Sequence, residues 1–503
     1  MRKLLLTIAV LVLSVGFAAG CGGTNEAASG PSELVPAGAV VYGEADLQPE
    51  GDQKEAIESI VSKFPGEGDA SDKLKELIAK GLSESDASID FSKDVEPWLG
   101  DQAAFFAQFS QATQKTIAAA LIATDDEDAA RSALAKSAQG KTKDKTYKDV
   151  DYQIDESGDA GAVFDGYVVV GDEESVKAAI DTSKGGPKLA DDDAYQKALE
   201  KAAEDRLGLI YANSPEILKA AEQSSSGAFP GSFKQFLKEP ALATADVDKD
   251  GVTFEGNLPS DLGGAFALFG ESSELLGDLP GDSWLAFGQK DLGRLLDFYV
   301  DAFAAEAGGR DAIEGQFKAA TGLDLQKQLA WMGDFGGFVR GSSLATLDGA
   351  LVVQTSDEAE SKRFLSALER LIRTQSGGGT SVQGRSGGFS VSIQGLPKPI
   401  EAFVESGKVV IAYGDAAAKD AAEPADKLSD SSDFSSAKDS LGDYNVSFFM
   451  LVEPILKLVD STSAGTDADW QDAKPYLEPL KALVSGTSGS GDDLKSAFKV
   501  IVK

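Results

Sequence analysis

GAVFDGYVVVGDEESVKAAID (161–181) can be laid over EAFVESGKVVIAYGDAAAKDAAE (401–423), which brings Gly171-Asp172 onto Gly414-Asp415, 243 positions later. Each block reads as strand, strand, helix, and further blocks match in the same order. LVPAGAVVYGEADL (34–47) falls on LPGDSWLAFGQKDL (279–292), with Pro36 over Pro280. EPWLGDQAAFFAQ from Glu96 falls on LAWMGDFGGFVRG from Leu329, with Trp98 over Trp331 and Gly100-Asp101 over Gly333-Asp334. ALIATDDEDAARSALAK from Ala120 falls on ALVVQTSDEAESKRFLSALER from Ala350, a strand, an acidic N-cap region and an amphipathic helix. LGLIYANSPEIL (207–218) then matches NVSFFMLVEPIL (445–456), with Ile217 over Ile455. Both series end in two alternating runs about a polar turn, ALATADVDKDGVTFEGNL (241–258) and ALVSGTSGSGDDLKSAFKVIVK (482–503).

These matches predict an α+β protein of two tandem repeats of about 225 residues, each a mainly antiparallel sheet covered by helices. Close strand pairs such as Tyr147 to Ile154 and Ala162 to Val170 suit antiparallel pairing through short turns. Ala129, Ala133, Leu134 and Ala138 recur at helical spacing, so the helices are expected on one side of the sheet. The expected boundaries are repeat 1 over 34–259, a connector over 260–278 and repeat 2 over 279–503. The connector, SDLGGAFALFGESSELLG from Ser260, is too apolar for a free linker.

Ahead of the repeats, residues 1–20 read as a secretory signal: Arg2 and Lys3, an apolar run from Leu4 to Val15, then Ala18, Ala19 and Gly20. Cys21, the single cysteine, follows at once and resembles the lipobox of bacterial lipoproteins, although Ala18 stands where that pattern prefers Leu. Lipidation of Cys21 is the expected modification; the alternative is a plain secretory signal leaving a free thiol. Two acyl chains suffice for stable anchoring where one does not. Residues 21–33 read as a Gly-, Ser- and Ala-rich tether. The expected location is the outer face of the cell membrane.

The 503 residues carry 47 Lys and Arg against 82 Asp and Glu, a formal charge of −35. Loss of Arg2 and Lys3 with the signal takes it to −37, which repels anionic headgroups and leaves lipid as the anchor. A strongly acidic chain has no electrostatic grip on a phosphate backbone, so nucleic acid is not an expected partner. The absence of His excludes every His-dependent triad and zinc site, and one cysteine excludes an intramolecular disulfide.

The block order, with VPAG at 35–38 and PWLGD at 97–101, resembles a family of uncharacterised secreted and membrane-anchored bacterial proteins. That family is common in high-GC Gram-positive organisms and is catalogued as a domain of unknown function. The resemblance spans nearly all of the chain beyond the signal. It implies an envelope location and carries no known activity, cofactor or catalytic residue.

Few residues invite a chemical reading. Asp246, Asp248 and Asp250 followed by Gly251 satisfy the first half of a calcium loop, but the twelfth position is Asn257 and the flanks alternate like strands. A hairpin turn is the expected state. The runs Asp125 to Asp128 and Asp191 to Asp193 each precede a helix and read as N-terminal caps. Gly140-Lys141-Thr142 lacks the first glycine of a phosphate loop, Ala135 standing in its place. Ser435 and Lys438 have Ser-x-x-Lys spacing without its partner motifs. Trp98 and Trp331 read as core residues, with Gly100 and Gly333 ending helices in a left-handed conformation.

No catalytic residue, metal site or cofactor is therefore expected. The leading expectation is a non-enzymatic surface lipoprotein that serves as a binding or scaffolding body in the cell envelope. The alternative is a carrier of a lipid or other apolar ligand, and a His-independent hydrolase ranks third. A cavity of roughly 300 to 1,000 Å³ lined by apolar strands would favour the carrier.

Overall fold

The computed structural model describes residues 30–65, 91–110, 113, 115–137, 142–200, 202, 206–223, 238–256, 271–304, 307–376, 379–489 and 494–503. The expected signal, Cys21 and residues 260–270 of the connector lie outside the described residues. The fold is α+β, with antiparallel strands throughout, and the chain divides into two compact units, one within residues 30–256 and the other within 271–503.

In unit one the strands are β1 (Ala39–Asp46), β2 (Leu99–Ser110), β3 (Lys115–Thr124), β4 (Thr142–Tyr147), β5 (Val150–Asp155), β6 (Asp159–Phe164), β7 (Tyr167–Asp172), β8 (Gly208–Ala212), β9 (Ala241–Asp248) and β10 (Gly251–Gly256). They pair in the order β4-β5-β6-β7-β3-β2-β1-β8-β9-β10. Among the described residues the helices are α1 (Gly51–Ser62), α2 (Glu127–Ser137), α3 (Glu173–Ser183), α4 (Asp193–Leu199) and α5 (Ser214–Gln223).

Unit two has β11 (Leu285–Gln289), β12 (Met332–Arg340), β13 (Asp348–Thr355), β14 (Thr380–Arg385), β15 (Gly388–Ile393), β16 (Ile400–Glu405), β17 (Lys408–Tyr413), β18 (Asn445–Leu451), β19 (Leu480–Ser488) and β20 (Lys495–Val502). Their order is β14-β15-β16-β17-β13-β12-β11-β18-β19-β20, position for position that of unit one. Its helices are α6 (Leu292–Ala304), α7 (Arg310–Thr321), α8 (Leu325–Trp331), α9 (Glu358–Gln375), α10 (Asp415–Ala422), α11 (Ser432–Ser440), α12 (Val452–Asp460) and α13 (Ala468–Leu477).

Both faces of the strands are covered, not one. Successive residues of β7 alternate between two cores: Tyr167 and Val169 meet Val176 and Ile180 of α3, whereas Val168 and Val170 belong with Ala130 and Leu134 of α2. Unit two does the same, with Ala417 and Ala421 of α10 and Phe434 of α11 on one face and Leu365 of α9 and Trp331 of α8 on the other. Unbroken apolar runs such as YVVV supply no polar face to present to water, so both faces must be buried. Each fully buried large apolar side chain contributes about 1.5–3 kcal/mol relative to an exposed one.

The ends of the expected segments also move. Residues 30–33 are not free tether: Pro31–Glu33 form a short helix, Pro31 is buried and Glu33 pairs with Lys188. Residues 271–278 are not connector: Leu275 and Leu276 are buried in the unit-two core and the Ser272 hydroxyl donates to the Val446 carbonyl. The overlaid glycines part company as well. Gly171 lies within β7 opposite Ala119, where a Cβ would come within 2.3 Å of the Ala118 carbonyl oxygen. Gly414 follows β17 at φ +96° and caps α10, a left-handed conformation that favours glycine.

Candidate functional site

In unit two, α9 crosses the β14–β17 ribbon and leaves an apolar cleft of about 400 Å³. The helix starts where the Asp357 carboxylate accepts from the Ala359 and Glu360 amides at 2.9 and 3.0 Å. It runs 18 residues, with Leu365, Leu368 and Ile372 along the face turned to the strands. The floor follows from strand alternation. Phe389, Val391 and Ile393 of β15 face the cleft, joined by Ile400 and Ala402 of β16 and Ile411 of β17. At one end Gln375, Ser376 and Thr380 contribute polar atoms, and none of the lining residues is titratable. Ile393 and neighbouring Leu396 are exposed by 37% and 46%, leaving apolar surface beside the cleft.

The unit-one counterpart is built differently. There α2 spans 11 residues, and Gly161 of β6 admits Leu134 to within 2.8 Å of the place a Cβ would occupy. Ala402 stands at the matching place in β16, five residues before the turn glycine Gly407 as Gly161 is before Gly166. The cleft was not legible in the matched sequence blocks, because one glycine and the extra helix length distinguish the two faces.

The sequence-derived candidates take structural places. Asp246, Asp248 and Asp250 lie in the β9–β10 hairpin. The Asp248 carboxylate accepts from the Asp250 and Gly251 amides at 2.9 and 3.0 Å, closing the turn, and Asp250 pairs with Lys249. Asp246 accepts from the Gln53 side chain, and burial pushes its carboxyl above the usual range. Among the described residues no group of three or more His, Cys, Asp or Glu side chains is arranged to hold a metal ion.

Asp126 caps α2 and Asp192 caps α4. Gly140 and Lys141 lie outside the described residues, and Thr142 opens β4. Ser435 is half-buried and Lys438 exposed on α11, with no hydrogen bond between them. Trp98 and Trp331 are buried, Trp331 donating to the Gln328 side chain at 3.1 Å. Gly100 and Gly333, expected to end helices, sit inside β2 and β12 instead. A Cβ on Gly100 would lie 2.8 Å from the Ala123 backbone, so close strand packing explains that glycine.

Pattern reading missed a polar cluster in unit one. The Glu173 carboxylate accepts from Tyr152 at 2.6 Å and from Lys145 and Lys177 at 2.9 Å each, which holds its pKa down at about 2. Lys177 also lies over the Tyr147 and Tyr152 rings. A carboxylate with a depressed folded pKa stabilises above its unfolded value, and that contribution fades as pH falls toward the folded one. Glu173→Gln should therefore cost about 1–2 kcal/mol at pH 7. Urea unfolding at a series of pH values should show the gap from the parent closing below about pH 4.5; a pH-independent gap would refute the assignment.

No helix among the described residues is long and apolar enough to cross a membrane. No curated protein matches the chain at a significant level. A solved structure titled "Structure of crystal form IV of TP0453" is 12% identical over 46% of this chain and 81% of that one, with a TM-score of 0.25, a likeness that carries no argument. A family model described as "Protein of unknown function (DUF3352)" matches residues 4–497, nearly the whole length, and the chain therefore belongs to that family.

Proposed function

We propose that this protein is a lipid-anchored, non-enzymatic envelope protein of two tandem α+β copies, and that its second copy carries an apolar ligand in the cleft beneath α9. The cleft carries the reading: about 400 Å³, apolar on helix and strands, polar at one end. Sites of that size and character hold small ligands. A lining without titratable groups can bind and orient an apolar molecule but offers no acid, base or charged nucleophile. The common strand order of the units and the matched sequence blocks support the duplication. The signal-like residues 1–20 and Cys21 support the anchor.

Native mass spectrometry of the full mature chain tests the carrier. Purified protein should show bound mass or take up Nile red, and Ile372→Trp, which fills the cleft from the helix side, should abolish both. Neither bound mass nor dye uptake in the parent would return the reading to a scaffolding body.

A further inference from the structure

We infer that the cleft selects an amphiphile with an uncharged, hydrogen-bonding head; this rests on the carrier reading above. The polar lining sits together where α9 ends and β14 begins, as Gln375, Ser376 and Thr380. The Ser376 hydroxyl is already engaged with the Ile372 carbonyl. The Gln375 amide and Thr380 hydroxyl have no hydrogen-bond partner among the described residues, and each can both donate and accept. A hydroxyl or ester head matches that pair.

Charge argues against the other heads. The end of a helix carries a partial negative charge. Of the cations on the last turns of α9, Arg373 pairs with Glu369, and Arg370 keeps its charge but donates to the Thr321 carbonyl from the helix face opposite Leu368 and Ile372. An anionic head would meet a helix C-terminus with no cation among the lining residues. A cationic head would find no carboxylate in the lining, where Gln375 is exposed and Thr380 half-buried, so a head there is only partly withdrawn from water. An unpaired charge is costly to desolvate, whereas a neutral head satisfied by hydrogen bonds is not.

Competition against bound Nile red, with the full mature chain at pH 8, tests this using three twelve-carbon probes: monolaurin, ionised laurate and dodecyltrimethylammonium. Monolaurin should bind about tenfold or more tightly than either ion. The double variant Gln375→Leu, Thr380→Val should weaken monolaurin about fivefold to tenfold while leaving laurate unchanged. Equal or tighter binding of either ion would overturn the head-group assignment and leave the carrier standing. So would a variant that weakens all three probes alike, since that is a structural effect. Binding of none of the probes, with no dye uptake by the parent, would defeat the carrier itself.

Discussion

Phe449→Ala should lower the stability of unit two by about 3–5 kcal/mol, the cost of removing a fully buried aromatic side chain and leaving a cavity. Phe449 lies in β18 with no exposed surface, its ring edge-on to Phe434 of α11 at 5.4 Å between centroids. It packs in a core that contains only unit-two residues, so unit one should keep its own transition. For a unit of this size the loss corresponds to about 6–20 °C in Tm. The tryptophans allow the two to be followed separately: Trp98 belongs to unit one and Trp284, Trp331 and Trp470 to unit two. In a Trp98→Phe background fluorescence reports unit two alone, while calorimetry records both. Equal displacement of both transitions would show that the cores do not melt independently.

Cys21→Ala should shift the protein from the membrane fraction to the medium, or leave an unprocessed precursor. The acidic body repels anionic headgroups, and in the lipoprotein we propose the acyl chains are the attachment. Fractionation with immunodetection reads the result directly. Normal processing with full retention in the membrane fraction would remove the lipid anchor from the proposal.

Local chemistry was legible wherever neighbours in sequence are neighbours in space. Asp126 and Asp192 cap the helices that follow them because a short acidic side chain reaches the free amides of the next turn. The Asp248 turn and the burial of Trp98 and Trp331 are local or compositional in the same way. The glycines were harder, since opposite causes leave the same letter. Gly414 adopts a left-handed conformation, whereas Gly171 and Gly100 make room for a neighbouring strand. The Glu173 cluster joins Lys145 and Tyr152, opposite each other in the β4–β5 hairpin, to a helix residue 28 and 21 positions later, and only the packing of α3 on that hairpin brings them together.

The order of blocks from Leu34 to Lys503, read as alternating strand and helix, was enough to establish the class, the antiparallel pairing and two halves of similar content. Periodicity along a chain records which residues are apolar and how often. It does not record which helix lies over which strands, and that is where burial on both faces and the cleft originate. Ala402 and Ile411 look like ordinary core residues in sequence; the crossing of α9 over the strand ribbon places them around about 400 Å³ of space. In unit one, Gly161 lets Leu134 occupy the matching ground. Packing across elements distant in sequence sets that difference, because the room between a helix and a strand depends on the side chains of both.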